Sequence, residues 1–399
     1  MSLFSPVEMA PRDPILGLNE AFNADPRKEK INLGVGVYFD EDGKIPLLKA
    51  VARAEEFRQQ AMAPRGYLPI EGIAAYDSAV QKLLFGHDSL AIQEGRIVTA
   101  QSIGGTGALR VGADFIKTLS NSGVVAISNP SWENHRALFA SCGYQVQEYR
   151  YYDAANNGLD FAGMLEDLNN LPAGSVVVLH ACCHNPTGID LTADNWVEII
   201  RTLQDKQLIP FLDIAYQGFG EGITEDALAV RMLVESGMVF FVASSFSKSF
   251  SFYGERVGAL SVVTESADEA QRVLSQVKRI IRTNYSNPPT HGATIVNMVL
   301  NNPELNALWQ EELAAMRKRI QQMRTLLVQQ LAQKGAVKDF EFITQQKGMF
   351  SYTSLTPAQV TRLREEFAIY AVSTGRICVA ALNMKNIDAV TDAIVEVCK

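Results

Sequence analysis

Lys248 lies in Ser245-Phe-Ser-Lys248, directly after an apolar run, and Arg256 follows eight residues later. A lysine just beyond a strand end is placed in a cleft, where desolvation and nearby cations lower its pKa from roughly 10.4 and free the amine to attack a carbonyl. Taken alone, a lysine is more often a solvated surface residue. The company of Ser245, Ser247 and Arg256 changes the reading, because two hydroxyls and a guanidinium make an anion site beside the amine. An amine next to a phosphate site is what pyridoxal phosphate requires.

Other polar residues suit the same chemistry. Gly104-Gly105-Thr106-Gly107 opens a helix expected to begin near Ala108. Glycines let backbone approach an anion, and free N–H groups at a helix start favour negative charge. The run is neither GxGxxG nor GxxxxGK[ST], which weakens dinucleotide and nucleotide readings. Asp213 ends an apolar run and precedes Tyr216. Such a carboxylate is either a helix cap, an arginine's partner, or the group that keeps a pyridine nitrogen protonated and the ring an electron sink. Asn185-Pro-Thr-Gly188 has the make-up of a turn, and its amide can also bond a ring hydroxyl. Trp132 and His135 offer flat rings for stacking, although a loop tryptophan is usually packing. Arg376 and Arg282 are candidate carboxylate forks, since planar guanidinium donors match a carboxylate bidentately. His180, Cys182, Cys183 and His184 invite a metal reading, but adjacent cysteines suit one tetrahedral ion poorly and no CxxC pair is present. No metal site is expected.

These residues follow the ends of short apolar runs. Val124–Ser128, Val176–His180, Ile209–Asp213, Phe240–Ser244 and Leu260–Val263 read as buried strands, separated by helical stretches such as Leu109 to Leu119. Strands alternating with helices imply an α/β fold with a mainly parallel sheet covered on both faces, whose ligands sit beyond the carboxyl ends of the strands. Trp309, Leu313, Met316, Ile320, Met323 and Leu327 step by 4, 3, 4, 3 and 4, the stripe of one long helix. Beyond it a strand at Phe350, a helix from Pro357 to Phe367, a strand from Ile369 to Ser373 and a helix from Asp388 to Val397 suggest a smaller α+β domain.

The chain is long enough for two domains, and 47% hydrophobic with 20% charged residues is an ordinary globular composition. A net charge of -8 without a basic block argues against nucleic-acid or membrane-surface binding. No apolar run approaches the roughly 20 residues of a membrane helix. Five scattered cysteines suit a reducing compartment, and no signal-like start is seen, so a cytoplasmic location is expected.

Taken together, the chain resembles the aspartate and aromatic-amino-acid aminotransferase family nearly end to end. The stretches that carry the resemblance include Asn32-Leu-Gly-Val-Gly36-Val-Tyr38, Tyr67-Leu-Pro69, Gly104-Gly-Thr-Gly-Ala-Leu109, Ser131-Trp-Glu-Asn-His135 and His184-Asn-Pro-Thr-Gly188. Asp213-Ile-Ala-Tyr216, Ser245-Phe-Ser-Lys248, Gly254-Glu-Arg-Val-Gly258 and Arg282-Thr-Asn-Tyr-Ser-Asn-Pro-Pro289 continue it in order. The resemblance implies an aspartate-aminotransferase-like fold: an N-terminal arm (1–14), a small domain from both chain ends (15–46 and 316–399), and a large cofactor-binding domain (47–315).

By the same resemblance, Lys248 would bind pyridoxal phosphate covalently and then carry the proton between substrate and cofactor. Asp213 would pair with the pyridine nitrogen, and Asn185 and Tyr216 with the ring hydroxyl. Gly105, Thr106, Ser245, Ser247 and Arg256 would cradle the phosphate, joined by Tyr67 of a second subunit. Trp132 would stack on the ring. Arg376 would clamp the substrate α-carboxylate with Asn185 and the backbone of Gly36, and Arg282 of a second subunit would meet a side-chain carboxylate. A homodimer with shared sites is thereby implied. Phe39 and Ile45 stand where aspartate-preferring relatives often have lysine and threonine, which makes the rim more apolar, whereas Thr106 and Asn287 fit the aspartate pattern. The expected activity is ping-pong transamination of aromatic (tyrosine, phenylalanine) and dicarboxylic (aspartate, glutamate) amino acids with 2-oxo acids such as 2-oxoglutarate. A strict aspartate aminotransferase is the alternative.

Overall fold

The computed structural model describes residues 2–399. Its centre is a seven-stranded sheet: β1 (Ile97–Ile103), β2 (Val124–Asn129), β3 (Gln145–Arg150), β4 (Val176–His180), β5 (Ile209–Ile214), β6 (Phe240–Ser245) and β7 (Val257–Val263), in the order β1-β7-β6-β5-β4-β2-β3. β2 to β6 run parallel, and β7 is antiparallel to both of its neighbours, β1 and β6. The α/β fold with a mainly parallel sheet is therefore as expected.

Alternation along the strands divides the core. Val125, Ile127, Val176, Val178, Phe211, Phe241 and Ala243 point into one apolar layer, while Val124, Ala126, Val177, Leu179, Leu212, Phe240 and Val242 point into the other. Both faces are buried, which is why these strands read as continuous apolar runs.

Two strands of the seven-stranded sheet were not expected from the sequence. β3 is an edge strand of largely polar composition, and β1 carries Thr99, Gln101 and Ser102, which are buried through hydrogen bonds such as Thr99 Oγ1 to Ser261 Oγ at 2.8 Å. The helix expected near Ala108 begins at Gly104 and runs to Lys117, so the glycine-rich run is its first turn. The strand expected at Ile369–Ser373 stops at Tyr370, because the chain turns at Gly375 (φ +84°) to bring Arg376 back.

The apolar stripe from Trp309 to Leu327 belongs to a helix at Pro303–Gln333, capped by Asn302 Oδ1, which accepts from the N–H groups of Glu304 and Leu305. Its 31 residues span about 46 Å. Segments from the two ends of the chain meet beside it. Ile31–Asn32 pairs in parallel with Ile369–Tyr370, and Phe350–Tyr352 pairs antiparallel with Arg376–Cys378. Arg319 of the long helix donates to the carbonyls of Phe39 and Leu382 and so ties both ends to it. Among the described residues no helix is long and apolar enough to cross a membrane.

Candidate active site

A cavity of about 230 Å³ opens at the carboxyl ends of β4, β5 and β6. Gly105, Thr106, Trp132, Asn185, Asp213, Tyr216, Ser245, Ser247, Lys248 and Arg256 all line it. A larger cleft of about 1190 Å³, lined by residues such as Lys82, Arg231 and Trp309, contains none of the expected site residues.

Lys248 sits in the turn after β6, with its ammonium 4.9 Å from the centre of the Tyr216 ring. Burial, helped by the Arg256 charge and opposed by Asp213, lowers its pKa to about 8. The amine is thus far closer to its reactive form near neutrality than a surface lysine.

Asp213 lies one residue before the end of β5, paired with His180 of β4. Burial alone would raise its pKa, but a hydrogen bond from His135, with the charges of His135 and Lys248, holds it below the usual value. His135 Nε2 lies 2.7 Å from Asp213 Oδ2, and His135 Nδ1 lies 2.8 Å from Ser131 Oγ. His135 was expected as a stacking ring. Instead it is wholly buried behind Asp213, with Trp132 set edge-on to it at 5.2 Å. Ser131 stands just ahead of the Glu133–Ser141 helix that carries His135. The Asp213 link spans 78 residues and comes from topology.

The histidine and cysteine cluster divides by place. His180 and Cys182 line the cavity, and burial lowers the His180 pKa to about 3, so the ring is neutral. Cys183 and His184 turn away into the loop: His184 bonds Ser128 Oγ and Thr187 Oγ1, at 2.9 and 2.7 Å. Asp226, near both cysteines, already accepts the N–H groups of Gly218, Gly220 and Glu221.

The opposite end of the cavity is built for an anion. The residue ahead of the Gly104 helix, Ile103, has no side chain able to cap it, so the first-turn N–H groups of Gly105 and Thr106 are free for a ligand. Gly104 has φ +66°, and a Cβ there would lie 2.5 Å from Arg256 Nη2. Any larger residue would push the guanidinium away. Arg256 is held by donation to Tyr253 O at 2.9 Å and Ser247 Oγ at 3.4 Å. A helix start, two hydroxyls and a fixed guanidinium, with an amine and a carboxylate across the cavity, match the donors that pyridoxal phosphate needs.

Arg376 does not line this cavity, although it is 2% exposed and bonded to its rim. Nη1 donates to Asn185 Oδ1 at 3.1 Å, Nη2 donates to Gly34 O at 2.7 Å, and the group lies 4.3 Å from the Phe350 ring centre. Its buried Nε has no protein partner. Gly36 packs on the same phenyl ring, and a Cβ there would be 2.9 Å from Phe350 Cζ. Tyr67 and Arg282 are elsewhere: Tyr67 is 96% exposed, and Arg282 is exposed and donates to Ser286 Oγ. Asn287 donates to Leu68 O at 2.8 Å, fixing the residue next to Tyr67. Phe39 packs partly against the core, whereas Ile45 is exposed.

Residues 28–394 match the family of class I and II aminotransferases. An aspartate aminotransferase of Pseudomonas aeruginosa is 68% identical, with 100% of both chains covered. The aromatic-amino-acid aminotransferase of Escherichia coli is 50% identical, with 99% of this chain and 100% of the relative covered. Among solved structures, an aromatic-amino-acid aminotransferase from Burkholderia pseudomallei, covalently bound to pyridoxal phosphate, superposes with a TM-score of 0.98 at 64% identity over 100% of both chains. Sequence, sheet topology and cavity agree: the chain is an enzyme belonging to the class I and II aminotransferase family.

Proposed function

We propose that this aminotransferase works with pyridoxal phosphate on both dicarboxylic and aromatic amino acids, passing their amino groups to 2-oxo acids. The observation that carries the reading is the convergence of Lys248, Asp213 and the anion-binding helix turn on one cavity, with Arg376 joined to its rim through Asn185. When bound, pyridoxal phosphate supplies an aldehyde that condenses with amines and a ring that accepts the electron pair left at the substrate α-carbon.

Lys248 Nζ would hold the cofactor and would carry the proton exchanged at the substrate α-carbon. Its lowered pKa suits that exchange. Asp213, kept anionic by His135, would hold a proton on the ring nitrogen. Asn185 and Tyr216 would bond the ring hydroxyl oxygen, and Trp132 would cover the ring. Gly105, Thr106, Ser245, Ser247 and Arg256 would hold the phosphate. Arg376, with Asn185 and the Gly36 backbone, takes the α-carboxylate and orients the Cα–H bond.

Tyr67 and Arg282, both exposed and away from this chain's cavity, complete the site of a second copy in a homodimer. Tyr67 adds a phosphate contact and Arg282 receives a side-chain carboxylate. The division into an arm (1–14), a small domain (15–46 and 316–399) and a large domain (47–315) is supported by the pairing of Ile31 with Ile369. A cytoplasmic location accords with the scattered free cysteines.

Relatives named for aspartate and for aromatic amino acids both match the whole chain, which supports dual use. The 68% identity to an aspartate aminotransferase favours strict aspartate use as a second reading. Catalytic efficiencies with aspartate, tyrosine and phenylalanine, each paired with 2-oxoglutarate, decide between them. Failure of both aromatic donors leaves the strict enzyme, and no glutamate from any donor ends the proposal.

A further inference from the structure

The loop from the end of β4 to Asp190 carries Asn185, the residue that joins the cavity to Arg376. Its backbone is not one the chain adopts unaided. Cys183 has φ +50°, a left-handed setting that side-chain-bearing residues resist. One carboxylate holds it there. Asp190 Oδ2 accepts the Cys183 N–H at 2.8 Å, and Oδ1 accepts the His184 N–H at 2.8 Å. The charge facing it, Lys347, is bonded to Glu221 at 2.5 Å. Both Asp190 oxygens are thus committed to the backbone just ahead of Asn185.

The rest of the loop has no room to shift. His184 stacks on Tyr151 with ring centres 4.0 Å apart and is bonded on both nitrogens. A Cβ on Gly188 would stand 2.8 Å from Phe350 O, and one on Gly348 would stand 2.6 Å from Cys183 Cβ. Phe350 is also the ring under Arg376. A change in the pose of Cys183 and His184 is therefore passed to Asn185, and from its Oδ1 to Arg376.

We infer that Asp190 is a positioning residue for recognition of the substrate carboxylate: by fixing the two N–H groups before Asn185, it sets where Asn185 holds Arg376. The inference rests on the assignment of Asn185 and Arg376 to the α-carboxylate made above. An asparagine at 190 keeps the size but can accept with only one atom, and it turns an amide N–H against the second backbone donor.

The test uses the cofactor-loaded enzyme with Asp190→Asn, Asn185→Ala, their double variant and Arg376→Lys. Steady-state constants are measured alongside calorimetric binding of succinate, a diacid with neither amine nor oxo group. Asp190→Asn is expected to raise KM and the succinate dissociation constant about tenfold, the worth of roughly one hydrogen bond to a charged group, with kcat within about twofold. In the Asn185→Ala background the same change is expected to alter succinate binding by less than about twofold, because the link is already cut. Unchanged KM and succinate binding in Asp190→Asn overturn the inference, as does an equal rise with and without Asn185. Full succinate affinity in Arg376→Lys overturns the carboxylate assignment itself, and the inference with it. Should Asp190→Asn not fold, the double variant Cys183→Gly with Asp190→Asn removes the backbone strain. Weak succinate binding in that protein supports the role of Asp190, and full binding overturns it.

Discussion

The two sides of the site are made differently. On the cofactor side, the residues come from the ends of adjacent strands and the first turn of one helix, within a single chain. On the substrate side, Arg376 comes from a strand near the C-terminus, its partner carbonyl from Gly34 near the N-terminus, and Arg282 is exposed and apart. A buried sheet holds its strand ends with little freedom, which suits groups that must meet a cofactor within a fraction of an ångström. In the proposed function, the groups that receive the substrate come from segments far apart along the chain and, for Arg282, from a second copy. The proposed function thus places cofactor chemistry and substrate recognition on separate parts of the fold.

The largest expected loss lies on the cofactor side. Lys248→Ala should remove the visible cofactor band and lower turnover by at least roughly 10⁴-fold, since the covalent anchor and the proton carrier are lost together. Absorbance spectra and single-turnover rates check this, and a yellow, active variant would sink the assignment. Asp213→Asn should lower kcat by about 10²-fold to 10³-fold, because a neutral amide no longer favours the protonated ring. Cofactor affinity should change far less, and a loss confined to affinity would place Asp213 among the binding groups only.

A smaller and more selective loss is expected on the substrate side. Arg282→Ala should reduce kcat/KM for aspartate by roughly 30-fold or more, the cost of leaving a buried carboxylate without its partner. Phenylalanine has no second carboxylate and should lose little. Equal losses on the two donors would break the proposed division between the sides.

The same division governs how much the sequence reveals. β4, β5 and β6 were legible because buried parallel strands are continuous apolar runs; Asp213 lies near the end of β5, and Asn185 and Lys248 follow β4 and β6 within a few residues. β1 and β3 were not: one buries Thr99 and Gln101 through pairings made far along the chain, and the other is a half-polar edge. Tertiary contacts with Arg256 and Gly258 override the poor helix propensity of Gly104-Gly105, so the helix begins earlier than local pattern suggests. His135 beside Asp213 and Asp190 beneath Cys183 have no local signature, because their meaning lies in partners that only folding brings near. The proposed role of Tyr67 came from resemblance alone, and that of Arg282 from its guanidinium chemistry and resemblance together; this chain's own cavity includes neither.

The smallest effect tests the electrostatics of the cofactor side. In cofactor-free protein, Lys248 reacts with an aldehyde only as the neutral amine. Borohydride-trapped labelling should therefore rise with pH through about 8 and level off above it. Arg256 lowers the lysine pKa and Asp213 raises it. Arg256→Gln removes a repelling cation, stabilises the ammonium, and should move the curve to higher pH. Asp213→Asn removes an attracting anion and should move it to lower pH. Peptide mapping of the labelled residue at each pH assigns the curve to Lys248. Opposite displacements would establish that the two charges bracket the amine. Displacements of the same sign, or none, would mean that burial alone sets its reactivity and that neither charge acts on it from the cavity wall.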